Sequence, residues 1–268
     1  MDQFNELGRR IPPLNMRLFS SKPKCYYAFE KPYIDYQAIL DRAKQYGNVP
    51  LNYTVQEFKE KAGEILEMLS RDKSYRNILN GIHVPFACKS MDEIDDPGTQ
   101  LQDVLLPKVD AAFVDSNPGC HFKAILQGDS QLKFKVTLDP YAQFSEFIKA
   151  SRSEVVVGWL FPEALQEYDV DSQRLQMQTL KRPNNTNICL SGGLDICSAL
   201  IGYPKLLINQ SQYSPNLCLS AYVHHDPRLV CIIKSYGPHM EFWCMTNMLT
   251  KTIKQVSEQW SGGLTVYM

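Results

Sequence analysis

Asn187-Ile188-Cys189-Leu190-Ser191-Gly192-Gly193-Leu194-Asp195-Ile196-Cys197-Ser198-Ala199-Leu200 is the stretch on which the reading of this chain turns. A short apolar run enters a tight glycine turn and leaves it as an amphipathic helix, which Gly202 and Pro204 close. Glycine makes the turn because it has no Cβ, and proline ends the helix because it cannot supply the next N–H. Around this unit the apolar periods divide the chain into a helical part and a strand-rich part, the pattern of an α+β protein.

Composition sets the outer bounds. The chain has 268 residues, 44% hydrophobic and 21% charged, enough to bury a full core as one large domain or two small ones. Its formal net charge of −1 provides no global field for nucleic acid or an anionic membrane, and the densest basic pair, Lys181-Arg182, is too small to provide a local one. The eight cysteines are scattered from Cys25 to Cys244 with no Cys-x-x-Cys pair, so zinc-ligand spacing is absent. The start of the chain lacks the basic and apolar regions of a signal peptide, and no run reaches the ~20 apolar residues of a membrane span. These features lead us to expect a cytoplasmic protein with reduced, mostly buried thiols and no cofactor.

Residues 1–32 read as an extended arm. Its prolines are Pro12, Pro13, Pro23 and Pro32, and its apolar anchors Ile11, Leu14, Met16, Leu18 and Phe19 suit packing on a neighbour. Residues 33–116 read as a helical region. Tyr36, Ile39, Leu40 and Ala43 share one helical face that Gly47 stops. Thr54 and Glu57 make a capping box before Val55, Phe58, Ala62, Ile65, Leu66 and Leu69. A short helix over Ser74–Leu79, an extended link over His83–Cys88 with a core histidine, and a helix from Gln100 to Phe113 weakened by Pro107 complete it.

Residues 117–268 read as a mixed, mainly antiparallel α+β region, which can be one continuous domain with 33–116. Phe122 to Leu126 and Leu132 to Leu138 predict a hairpin with one buried face, turning at Gln127–Ser130. A helix over Tyr141–Ala150 and an apolar run from Val155 to Leu160 follow. Leu175, Met177 and Thr179 alternate with glutamines on the way to the opening stretch. Leu206–Ile208, Leu217–Val223, Leu229–Lys234 and Met240–Cys244 predict strands, with turns at His224–Pro227 and Tyr236–Pro238, and Thr246–Trp260 predicts a last helix. His224, His225, Asp226 and His239 lack a second spaced ligand set, so the expectation is a turn and no metal.

Two chemistries can be read into the opening stretch. His121, Asp139 and Cys189, in that order with the cysteine before a helix, resemble the Ulp-like cysteine peptidases. The resemblance implies that His121 takes the thiol proton, Asp139 fixes the imidazole tautomer, and Cys189 attacks an isopeptide carbonyl. The acidic residue before and the glycine after the cysteine in that family are Ile188 and Leu190 here. Ser191-Gly192-Gly193-Leu194-Asp195 after an apolar strand is similar to the loop of ATP pyrophosphatases. That similarity implies that Ser191, Gly192, Gly193 and Asp195 cradle the pyrophosphate of ATP. The hydroxyl residue that follows the aspartate in that family is Ile196 here.

A third reading rests on aromatics. Fourteen tyrosines, twelve phenylalanines and nine methionines suit adaptable protein surfaces, and Tyr26, Tyr27, Phe29, Tyr33 and Tyr36 crowd the arm. With neither motif complete, the expectation is a non-enzymatic protein-interaction or self-assembly protein, of virus structural or pathogen accessory type by elimination. It would form a homo-oligomer through the N-terminal arm; the cysteine hydrolase and the ATP-binding protein are the alternatives.

Overall fold

The computed structural model describes residues 2–13, 26–90, 94–126, 131–246 and 258–268. The architecture is α+β, with the helices of the first half packed on strands drawn mostly from the second. Tyr36–Gln45 (α1) starts at Asp35, whose carboxylate accepts the Ala38 amide. Val55–Arg71 (α2) carries the complete capping box. Thr54 Oγ1 accepts the Glu57 amide at 3.2 Å, and Glu57 Oε2 accepts the Thr54 amide at 2.7 Å. Such a cap contributes about 1 kcal/mol. After a 3-10 turn at Arg76–Asn80 comes the fully buried strand Val84–Cys88 (β1). Pro97–Thr99 (α3) runs through a π-helical stretch, Gln100–Leu105, into Leu106–Ser116 (α4). The weakening expected at Pro107 takes this form: the ladder widens by one residue just before the ring that has no N–H to offer.

Phe122–Ile125 (β2) and Val136–Leu138 (β3) are strands but do not pair, which corrects the expected hairpin. β2 lies parallel to His239–Thr246 (β9), and β3 lies antiparallel to Tyr222–His224 (β7). The alternation fails at Phe134, which has φ +58 and is 76% exposed, so the chain turns where the period demanded a buried strand residue. The expected turn at 127–130 lies outside the described residues.

Phe144–Ser153 (α5) and Val156–Phe161 (β4) follow as read. Val170–Thr179 (α6) is a helix and not the alternating segment expected. Asp169 caps it through the Ser172 amide at 2.7 Å, and its buried side includes Val170, Gln173, Gln176 and Met177. The helical period was masked because glutamines occupy core positions. Asn187–Leu190 (β5) leads to Gly193–Gly202 (α7) as expected, but α7 is buried nearly all round and not amphipathic. Leu206–Ile208 is a turn region. The next expected strand is split into Asn216–Cys218 (β6) and β7, and Leu229–Tyr236 (β8) pairs with β9 across Gly237. The expected helix over Thr246–Trp260 lies mainly outside the described residues. Its described ends are strand: Thr246 closes β9 and Trp260 opens Trp260–Gly262 (β10).

Leu264–Tyr267 (β11) enters the middle of the first sheet, whose order is β1-β4-β11-β5, antiparallel throughout. Its register puts Phe86, Gly158, Leu160, Cys189, Thr265 and Tyr267 on one face, against α5 and α7. Trp159 points the other way, and its indole N–H donates to Ala62 O of α2 at 2.8 Å. The second sheet, β10-β6-β8-β9-β2, joins the same core through Cys231, Ile233, Met240 and Phe242. Its outer face carries a smaller cluster of Val170, Cys218, Val230 and Ile232 under Trp243 and Trp260. Phe4 and Phe29 of the arm are buried in the main core, beside residues of both later regions. Leu14, Met16, Leu18, Phe19 and Cys25 lie outside the described residues. No described helix is long and apolar enough to cross a membrane.

Candidate functional site

The opening stretch lies at the centre of the molecule. Cys189 is the third residue of β5, directly opposite Thr265, with no exposed surface. Burial raises its thiol well above the ordinary value, and the nearby Asp195, Cys88 and Glu146 add to the effect. A thiol with that environment stays protonated and inert.

His121 stands elsewhere, at the head of β2. Its ring stacks on His239 at 3.8 Å between centroids, and its amide donates to His239 Nδ1 at 3.2 Å. Desolvation, then the neighbouring His239 and Lys123, lower its imidazole below the ordinary value. Asp139 forms a turn by accepting the Tyr141 amide at 2.9 Å, and Arg174 Nε lies 3.8 Å from its other oxygen. No hydrogen bond or ion pair among the described residues joins any two of His121, Asp139 and Cys189. Residue-resolved alkylation of the native chain is expected to leave Cys189 among the last thiols to react; rapid labelling there would restore the nucleophile reading.

The Ser-Gly-Gly turn uses its own amides. Leu190 donates to Ala142 O at 2.9 Å, Ser191 to Gly263 O at 3.0 Å, and Gly192 to Asp195 Oδ1 at 2.9 Å. The space over the glycines is filled by aromatic rings. A Cβ on Gly192 would meet Phe144 Cζ at 2.8 Å, and one on Gly193 would meet the Tyr222 hydroxyl at 2.7 Å. A phosphate cradle needs free amides and room for the anion. Here the turn is a packing device that lets two rings lie on the backbone.

Asp195 is the electrostatic centre of this device. Besides the Gly192 amide, it accepts the Thr265 hydroxyl at Oδ2 (2.6 Å), and Ser191 Oγ lies 3.1 Å from the same hydroxyl. Complete burial raises the carboxyl to about 6, against the opposing pull of the Thr265, Gly192, Ile196 and Ser191 donors. Sequence reasoning found Ser191 and Asp195 but not Thr265, Phe144 or Tyr222, which come from separate elements and share no local motif.

The late histidines do not gather. His224 Nδ1 accepts the Asp226 amide at 3.0 Å, Asp226 pairs with Arg228, and His239 pairs with His121. His83, expected in the core, is only half-buried, bonded to Gly81 O at 2.7 Å and packed against Trp159 and Phe161.

Surface hollows also occur among the described residues. A groove of about 370 Å³ runs along α5 past Ser145, Ile148, Lys149 and Arg152, where Arg152 bridges across to Asp95 at 2.9 Å. A more open recess of about 450 Å³ is lined by Tyr26, Gln210, Ser211, Gln212 and Tyr213. None of the family models, curated proteins or solved structures compared with this chain matches it.

Proposed function

We propose that the chain is a non-enzymatic protein-interaction protein that self-assembles through the tyrosine surface where its arm meets the 209–213 loop. The observation that carries this reading is the pair Tyr26 and Tyr213, 63% and 73% exposed on either side of one recess. The main chain fixes both. Tyr213 donates to Tyr26 O at 3.2 Å, Ala28 donates to Tyr213 O at 3.0 Å, and the Tyr27 ring lies 5.7 Å from that of Tyr213.

Tyrosine presents a large amphipathic area while losing only two torsions. Beside serine and glutamine it makes an adaptable polar surface of the kind that binds protein, its main chain tied down by Glu258, whose carboxylate accepts the Tyr26 amide at 2.9 Å. A recess lined by tyrosine, serine and glutamine does not repel a second copy, and the small net charge of −1 lets copies approach. Tyr33, 84% exposed, extends the aromatic surface of the arm. A cytoplasmic setting accompanies the proposal, with the seven described cysteines all free thiols.

Sedimentation equilibrium over a range of concentrations tests this. Wild type is expected to gain mass with concentration, and Tyr26→Ser/Tyr213→Ser to shift that transition by tenfold or more, the size of one or two hot-spot tyrosines at about 1–2 kcal/mol each. Both side chains are exposed, so the fold is expected to survive the change. Removing residues 1–32 would be a poorer test, because it also extracts Phe4 and Phe29 from the core. A monomer at every concentration, or a transition that the double variant leaves in place, would overturn the reading.

A further inference from the structure

β8 and β9 are eight-residue strands whose register sets Cys231 directly opposite Cys244. No other described ladder faces two cysteines: Cys88 meets Val156, Cys189 meets Thr265, and Cys218 meets Ile232 and Gly262. The main chain of Cys231 turns away from β9, since its carbonyl accepts the Leu219 amide at 2.9 Å on the other side. The pair across β9 is therefore a non-hydrogen-bonded one. In such pairs the Cα atoms approach to about 4.5 Å and the side chains lie closest. A disulfide spans Cα separations of roughly 4.4–6.8 Å. Both side chains point into the core face of the sheet, where Cys231 is 4% exposed and Cys244 keeps 7%, the more open edge of the pair, whereas Cys189 keeps none.

The greater exposure of Cys244 makes it the first of the two that a small molecule can reach. Its interaction with Cys231 holds the Cys244 thiol below the ordinary value, with Lys135 helping against burial and Asp226. Cys231 is pushed well above it by the same interaction and by burial. The remaining buried thiols at Cys88, Cys189, Cys197 and Cys218 are all raised by burial.

We propose that Cys244 and Cys231 form a thiol–disulfide modification site, in which Cys244 attacks a small-molecule disulfide and Cys231 resolves the product into a cross-strand bond. In the first step the Cys244 thiolate displaces one thiolate from the small disulfide and is left in a mixed disulfide. In the second, Cys231 gives its proton to the released thiolate and attacks the Cys244 sulfur, expelling the second small thiolate, which takes up from water the proton that Cys244 lost on ionising. The two protein thiols are oxidised, and the small disulfide is reduced to two thiols. The bond ties β8 to β9 and fixes the register of the hairpin.

Oxidised glutathione is the probe. The native chain is incubated with it, the remaining thiols are alkylated, and peptides are mapped with and without reductant. The expected result is the loss of both alkylatable thiols and a linked Cys231–Cys244 peptide that reductant reverses, with the half-buried Cys120 as internal comparison. In Cys231→Ser a glutathione adduct is expected to persist on Cys244, and in Cys244→Ser no adduct is expected on Cys231. Wild-type protein in which both thiols stay alkylatable, or in which a glutathione adduct on Cys244 persists unresolved, would overturn the proposal. Wild-type mapping decides alone if either variant fails to fold.

Discussion

Gly193→Ala is expected to destabilise the folded chain by about 2–3 kcal/mol, the upper range for forcing one extra carbon into a packed core. The new Cβ would lie 2.7 Å from the Tyr222 hydroxyl, 2.8 Å from Cε2 and 2.9 Å from Cζ. The ring has little freedom to retreat. It is edge-on to Phe144 at 5.8 Å, Phe144 packs on Phe147 at 5.3 Å, and Phe147 packs on Tyr267 at 5.0 Å, so the displacement would pass into the face of the first sheet. Alanine gains up to about 1 kcal/mol of helix propensity and unfolded-state entropy at such a position, which is smaller than the clash. Tyr222→Phe removes one of the three contacts and is expected to rescue little, whereas Tyr222→Val opens space and is expected to recover part of the loss in the double variant. The readout is the urea midpoint followed by tryptophan fluorescence. An unchanged midpoint would mean that the turn has room above it, and the phosphate-loop reading would then regain its footing.

That turn also shows what could be read from the chain alone. The elements legible in the sequence are those whose signals are local: the Thr54–Glu57 cap, the Gly47 stop, the strand–turn–helix at 187–202, and the hairpin around Gly237. Failures came where a distant partner overrides a local period. Gln173 holds a core position because buried partners receive it: its Nε2 donates to Tyr168 O at 2.7 Å, and the Ser220 hydroxyl donates to its Oε1. That hid a helix behind an apparent alternation. Phe134 looked like a strand core residue and stands in solvent with a left-handed backbone.

For the site, residue types alone were a poor guide. Cys189 satisfies the demand for a cysteine near a glycine turn, yet a strand residue facing Thr265 inside a covered sheet has no route to a substrate. The Cys231–Cys244 pairing could have been counted outward from the turn at Gly237, because Tyr236 meets His239 and each step moves one residue along both strands. Close cysteine spacing does not reveal it, because strand pairing brings together residues thirteen apart.

The second large effect concerns Asp195 and has a definite sign in pH. Its folded carboxyl titrates near 6, raised by burial, while an unfolded aspartate titrates near ~3.9. Below about pH 4 the proton is held in both states, and the folded chain carries none of the cost of a buried charge. Between about 4 and 6 the unfolded chain releases its proton and the folded chain keeps it, so stability falls as pH rises through that window. Above about 6 both states are ionised and the loss is complete, on the order of 3 kcal/mol for a shift of about two pH units. Asp195→Asn removes the titrating group while its amide oxygen can still accept from Gly192, and its NH2 can meet a Thr265 hydroxyl rotated to accept. The variant is therefore expected to fold, and its urea-derived stability is expected to gain on wild type by that amount between pH 4 and pH 7. Asp195→Ala leaves the Gly192 amide and the Thr265 hydroxyl buried without their acceptor and is expected to be destabilised at every pH, by about 2–4 kcal/mol. Parallel stability curves for wild type and Asp195→Asn across this window would show that the carboxyl titrates at its ordinary value. Water would then have to reach the turn, and the centre of the fold would be more open than its packing implies.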